Sequence, residues 1–352
     1  MHNGIKFGIA GATIVVVVLT SMPYFGFSGS GCNSRSSGES DELRIGYFPN
    51  INHAQAVIGL GRGDFQEVLD GVKVTTRVFN AGPQVIEALN AGAIDVAYVG
   101  PNPAINGYVQ SEGCDPRIIS GAASGGAVFV VRNDAGIDSV DDFANKKFAS
   151  PQLGNTQDVA LRKYLLENGY ETAAGGNVEV LPIKNPDIVT QMEKKDIDGA
   201  WVPEPWGAKL VKEAYARIFL DERDLWPPDG EFVTAHIIVR TDYLQNNPET
   251  VRKLLEAHVD ETSWINENPD AAMQVFNAEL EKLTGKTIPE DEFREGFSRM
   301  TLTWDPLKES LFQSADDAYE IGFFGERPDL SGIYDLTLLN KVLTDKGLPP
   351  IQ

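Results

Sequence analysis

The chain has 352 residues, five tryptophans, two cysteines and a net charge of −21. Its length supports two domains of ordinary size, and its apolar and charged content is that of a globular protein. The acidity is spread over runs such as Asp138-Ser139-Val140-Asp141-Asp142 and Glu290-Asp291-Glu292, with no Lys/Arg-rich stretch. That excludes nucleic acid as a partner, because neutralising phosphates requires a basic face.

Residues 1–32 differ from the rest. Lys6 and the amino terminus precede an apolar run from Ile9 to Leu19, and small residues lead to Cys32, the pattern of a secretory signal. Phe27-Ser28-Gly29-Ser30-Gly31-Cys32 resembles a bacterial lipoprotein cleavage site, with Gly29 where Leu or Val is usual. Two readings follow: acylation of Cys32, or an uncleaved anchor from Gly4 to Phe27, which reaches the ~20 residues a bilayer needs. Both place the body outside the cytoplasm, held to a membrane. A disulfide between Cys32 and Cys114 is a third use of that sulfur, and no cysteine spacing suits a metal. Residues 33–42 are a polar, Ser/Gly-rich linker.

The folded body opens with an alternating strand, Leu43 to Phe48, followed by a helix from His53 to Arg62. Val72 to Phe79 is a second strand. Gly82-Pro83-Gln84 opens a helix that stops at Ala91-Gly92. Ile94 to Val99 is apolar almost throughout, as a strand buried on both faces would be, and Pro101 to Val109 is helical. Arg117 to Ser120 and Ala127 to Arg132 are strands around a hinge-like Ala122-Ala123-Ser124-Gly125-Gly126. The alternation then restarts, with strands at Lys147–Ser150, Val178–Pro182, Gly199–Val202, Arg217–Leu220 and Thr234–Arg240. Helices fall at Gln157–Asn168, Asp187–Lys195 and Trp206–Tyr215. From Asn247 onward the pattern is helical; Val251, Leu254, Leu255, His258 and Val259 make one face. The whole implies an α/β protein of two lobes, with mixed, mostly parallel sheets flanked by helices and a two-crossing hinge. One lobe comprises 43–127 plus 234–352, the other 128–233, and a cleft between them faces the strand ends.

Several segments in a fixed order carry a family resemblance. They are Leu43-Arg44-Ile45-Gly46-Tyr47, Gly82-Pro83-Gln84, Leu89-Asn90-Ala91-Gly92-Ala93-Ile94-Asp95 and Gly100-Pro101-Asn102-Pro103. Gly154-Asn155-Thr156-Gln157-Asp158, the run Asp198 to Trp206, and Ser331-Gly332-Ile333-Tyr334-Asp335 complete the set. From about Leu43 to Leu348 the chain resembles the periplasmic binding proteins for aliphatic sulfonates, taurine and nitrate, which have a type II solute-binding fold. The resemblance implies a monomer without a cofactor, a small anionic ligand such as a sulfonate, and an ABC permease with its ATPase as partner. It also implies binding residues in four loops: after the first strand, after the third, at Asn155, and around Trp201 to Trp206. Where sulfonate and taurine members often carry Asp-Pro after the tryptophan strand, this chain has Pro203-Glu204-Pro205.

Within those loops the residue chemistry favours an anion. Helix N-termini present unsatisfied N–H groups with partial positive charge. Gly100-Pro101-Asn102-Pro103-Ala104 and Gly154-Asn155-Thr156-Gln157 are two such sockets, though Asn155 with Asp158 also resembles a capping box. Asn50, Asn52 and His53 add amides and an imidazole, and Ser124 and Gly125 are either ligand contacts or hinge. Trp201 and Trp206 offer apolar walls, with Trp201 equally suited to a core. Glu204 suits holding a Lys, an Arg or backbone groups, or pairing with a ligand's ammonium. An enzyme is disfavoured: His2, His53, His236 and His258 show no metal spacing, the body has no Gly-x-Ser-x-Gly, and Gly59-Leu60-Gly61-Arg62-Gly63 closes a helix instead of following a strand. Nitrate, bicarbonate, taurine or a thiamine-precursor pyrimidine remain alternative ligands, and a ligand-sensing subunit remains an alternative role.

Overall fold

The computed structural model describes residues 40–173 and 175–351. The apolar N-terminal run and Cys32, and with them the choice among lipid, anchor and disulfide, lie outside those residues. In chain order the strands are β1 (Glu42–Tyr47), β2 (Lys73–Val78), β3 (Val96–Val99), β4 (Arg117–Gly125), β5 (Ala127–Arg132) and β6 (Lys147–Ser150). They continue with β7 (Glu179–Pro182), β8 (Gly199–Pro203), β9 (Ala216–Asp221), β10 (Val233–Val239) and β11 (Met300–Leu302). They form two sheets, ordered β11-β4-β10-β3-β1-β2 and β7-β6-β8-β5-β9.

Apolar runs settle in the middle of each sheet. β3 and β10 in the first, and β5 and β8 in the second, are buried along their whole length. The edge strand β2, Lys-Val-Thr-Thr-Arg-Val, is largely exposed, as its polar residues require. β1 is parallel to β2 and β3, and β6 is parallel to β7 and β8. The remaining pairs, through β10, β4 and β11 in the first sheet and β5 and β9 in the second, are antiparallel. The sheets are therefore mixed, with the parallel strands on one flank of each.

The chain leaves the first sheet between β4 and β5 and returns through β10. Expected to end at Ser120, β4 continues to Gly125 because Ala122 and Ala123 pack into the core. At the crossing Gly125 and Gly126 have φ of 75° and 78°. A Cβ on Gly125 would lie 2.6 Å from the Arg299 carbonyl oxygen, and one on Gly126 2.6 Å from the Met300 methyl. Only glycine meets both the left-handed backbone and the lack of space. The Lys308–Glu320 helix starts directly after Leu307, which adopts a left-handed φ of 47°.

The 20-residue helix Pro248–Glu267 packs the predicted apolar face inward. His258 belongs to that face: its Nδ1 lies 3.0 Å from the Tyr98 hydroxyl and its Nε2 2.9 Å from the Gly121 carbonyl. Burial lowers its pKa to about 4, so the neutral ring is a packing element. His236 is likewise buried, with Nε2 2.8 Å from the Pro306 carbonyl, which pins β10 to the segment before the Lys308 helix.

Candidate ligand-binding site

The C-terminal ends of the parallel strands in both sheets open onto one small cavity. From the first sheet, the turn after β1 brings Phe48, Asn50, Asn52 and His53, and the turn after β2 brings Asn80 and Ala81. Gly100 follows β3, and Thr234 lies near the start of antiparallel β10. From the second sheet, β6 leads to Pro151, Asn155, Thr156 and Gln157; β7 leads to Asn185, and β8 ends at Pro203. The enclosed space is about 20 Å³, room for roughly one water. The two halves almost touch: a Cβ on Gly100 would sit 2.4 Å from Thr156 Oγ1. Glycine after β3 is what allows this approach.

No Lys, Arg, Asp or Glu lines the cavity, and six of its residues are carboxamides. His53 is fully buried, its pKa lowered to about 3 by burial, and its Nδ1 lies 3.4 Å from the Phe48 amide. It is therefore neutral at ordinary pH. Three buried polar atoms on the cavity have no partner: Asn52 Oδ1, Thr156 Oγ1 and Asn185 Oδ1. Leaving such groups unpaired costs about 1–3 kcal/mol each, and a half-turn of either amide presents its NH2 instead. A polar guest satisfies all three.

Helix N-termini add donors. The Thr156–Glu167 helix begins at the cavity, and Asn155, its N-cap, makes no side-chain cap bond; its Nδ2 goes to Gln157 Oε1 at 3.2 Å. The capping box that Asn155 and Asp158 resemble in sequence does not form. Asp158 instead accepts from the Gly154 amide at 3.0 Å and Ser150 Oγ at 2.6 Å, and pairs with Arg162. This holds the loop from behind; the Asp158 amide bonds the Asn155 carbonyl at 3.0 Å, and the N–H groups of Thr156 and Gln157 stay open to a guest. The Asn185–Glu193 helix also starts at the cavity. The Gly100 socket is weaker than the sequence suggested, because Pro101 and Pro103 remove two of its first three N–H groups.

Other expected residues lie elsewhere. Trp201 cannot wall the cleft: it is fully buried, stacked 5.3 Å from Phe129, with Nε1 donating to Glu222 Oε2 at 2.6 Å. Ser124 and Gly125 belong to β4, where Ser124 Oγ accepts from the Phe232 amide, and they serve the crossing. Gly154 lies at the rim near Phe323. Pro101 starts its helix, and Asn102 Nδ2 donates to the Ser314 carbonyl at 3.1 Å, facing a neighbouring cavity. Glu204 is buried behind the site, accepting from the Ala208 amide at 3.0 Å and from Arg299 at 2.5 Å. It holds an Arg and a backbone group, one of the two uses its chemistry allowed. Trp206 does not line the cavity, but its Nε1 donates to Asn50 Oδ1 at 3.3 Å, joining the two halves. Asn80, Asn185 and Thr234 were not expected. Gln157 and Asn185 stand at helix starts after strands, a signal that the sequence carried.

The profile of the NMT1-like family matches residues 36–278. The chain belongs to the NMT1-like family. Among relatives of this NMT1-like chain, a Bacillus subtilis (strain 168) protein provisionally named for binding aliphatic sulfonates is 23% identical over 338 residues, 94% of this chain and 97% of that one. In fold, the NMT1-like chain resembles the alkanesulfonate-binding protein SsuA from Xanthomonas axonopodis pv. citri bound to MOPS. The TM-score is 0.70 at 18% identity, over 85% of this chain and 99% of that one. The periplasmic nitrate-binding protein NrtA from Synechocystis PCC 6803 gives a TM-score of 0.69 at 16% identity, over 88% and 90%. The fold is that of the periplasmic binding proteins.

Proposed function

We propose that this chain is the extracytoplasmic solute-binding component of an ABC importer and that it captures a small organic anion, an aliphatic sulfonate. The binding lobes are 43–127 plus 234–352 and 128–233, and the ligand sits in the cavity where their strand ends meet. The observation that carries the reading is a trio of unpartnered buried groups: the Asn52 amide from one sheet, and the Thr156 hydroxyl and the Asn185 amide from the other, both amides presenting NH2 when turned by half. A sulfonate has three acceptor oxygens, and neutral amides with helix N-termini hold such a charge without a fixed cation.

The mechanism follows from the size of the cavity. At about 20 Å³ it does not admit an organic sulfonate while the halves stay this close. The lobes must part by bending at Gly125-Gly126 and before β10, then close on the guest. Ligand that touches both lobes only when shut shifts that population. Asn155 and Thr156 donate to sulfonate oxygens from one lobe and Asn52 from the other. The small closed volume specifically favours a second reading, an inorganic anion such as nitrate.

Export and membrane tethering belong to the proposal and are supported by the apolar run Ile9 to Leu19 and the small residues before Cys32; recovery of the chain in the cytosolic fraction would overturn them. The ligand is tested by a thermal-shift panel of alkanesulfonates, taurine, nitrate, bicarbonate and sulfate, since a guest bound only by the folded state raises Tm. We expect alkanesulfonates to give the largest rise. A rise with nitrate alone keeps the binding role and replaces the ligand.

A further inference from the structure

A second cavity of about 350 Å³ lies against the other side of Thr156. One wall is a stripe of the Thr156–Glu167 helix at spacings of three and four residues, Val159, Ala160, Lys163 and Tyr164. Glu222 and Trp226, from the segment before β10, form another. Asp317, on the Lys308–Glu320 helix, faces them from the half that holds the first sheet.

The wall chemistry is acidic and aromatic. Glu222 is 4% exposed, with one carboxyl oxygen held by Trp201 Nε1. Lys163, the cation on the wall, is already shared among three carboxylates, 2.6 Å from Glu320, 2.9 Å from Glu167 and 3.9 Å from Asp317. Trp226 is fixed in orientation by stacking 5.7 Å from Phe232, and Tyr164 packs edge-on against Trp201. Thr156 borders this cavity as well, although its Oγ1 lies towards Gly100 on the first one. Such a cavity matches a guest with N–H donors and one positive charge, whose carbon body lies against aromatic faces. Burial also raises the carboxyl pKa values, to about 8 for Glu222 and upward for Asp317. A cation placed beside them restores their ionised form.

We propose that this cavity is a second binding site, for a small organic ammonium ion. Because its walls come from both halves of the molecule, an ammonium guest bridges them and favours the closed arrangement. The site stands independently of the sulfonate reading.

The test is calorimetric titration of the full-length chain with n-butylammonium chloride, with 1-butanol as an uncharged probe of similar shape. The expected result is saturable binding of butylammonium, none of butanol, and a loss of at least tenfold in affinity in both Glu222→Gln and Asp317→Asn. Asn155→Ala, in the sulfonate socket, leaves butylammonium affinity unchanged. Glutamine keeps an acceptor for Trp201, and a cooperative melt of each variant establishes that it folds. If Glu222→Gln does not fold, Asp317→Asn alone decides. Absence of saturable heat with butylammonium, or equal affinity in the folded variants, overturns the proposal and leaves the signal to diffuse attraction by a chain of net charge −21.

Discussion

Asn155→Ala combined with Thr156→Ala is expected to weaken alkanesulfonate binding by more than tenfold while leaving the fold intact. Asn155 makes no side-chain cap bond and Thr156 Oγ1 has no partner in the protein, so truncating them removes little from the unliganded state. Each instead gives up a hydrogen bond to a charged guest, about 1.5–3 kcal/mol, and about 1.4 kcal/mol is a factor of ten. Asp158 still braces the loop through Gly154 and Ser150 in the variant. Titration calorimetry reads the affinity and a thermal melt reads the fold. Unchanged affinity in a folded double variant moves the anion socket elsewhere.

Arg299→Ala is expected to cost more in stability than any change at the socket. Glu204 is fully buried, and Arg299 is the cation that compensates it, at 2.5 Å. Removing one member of a buried pair leaves an uncompensated charge and costs about 3–5 kcal/mol. Burial already raises the Glu204 pKa, and loss of the guanidinium raises it further. The sign follows: when the folded-state pKa of a carboxyl exceeds its unfolded value, stability declines as pH rises through that interval. The deficit of the variant is therefore smaller near pH ~5 than near pH ~7.5. Denaturant melts at both pH values measure it. A variant as stable as the parent, or one worse at the lower pH, contradicts this account of the pair.

The architecture was legible because its signals are strong and local. Continuous apolar runs such as Val96–Val99 and 127–131 mark central strands, and paired glycines at 125 and 126 mark a crossing that no other residue fits. Strand direction was less legible: an apolar run looks the same parallel or antiparallel, so the antiparallel flanks escaped notice. The loops after β1 and at Asn155, which line the cavity, stood out because amides and helix starts are visible in sequence. Trp201 stayed open between wall and core, since an aromatic in a buried strand and one lining a cleft look identical until the face is known; it is core, and its indole reaches Glu222. Asn80 and Thr234 carry no local signal, because only the meeting of two sheets brings them to the cavity. Likewise the partner of Glu204 lies 95 residues away, beyond any pattern of spacing.

The most direct test of the central claim is a crystal structure of the chain grown with ethanesulfonate. The account predicts the sulfonate between the two sheets, its oxygens within hydrogen-bond reach of Asn52, Thr156 and Asn185 and of the N–H groups that open the Thr156 helix. An ethanesulfonate found outside that cavity, or an empty cavity at saturating ligand, would contradict it.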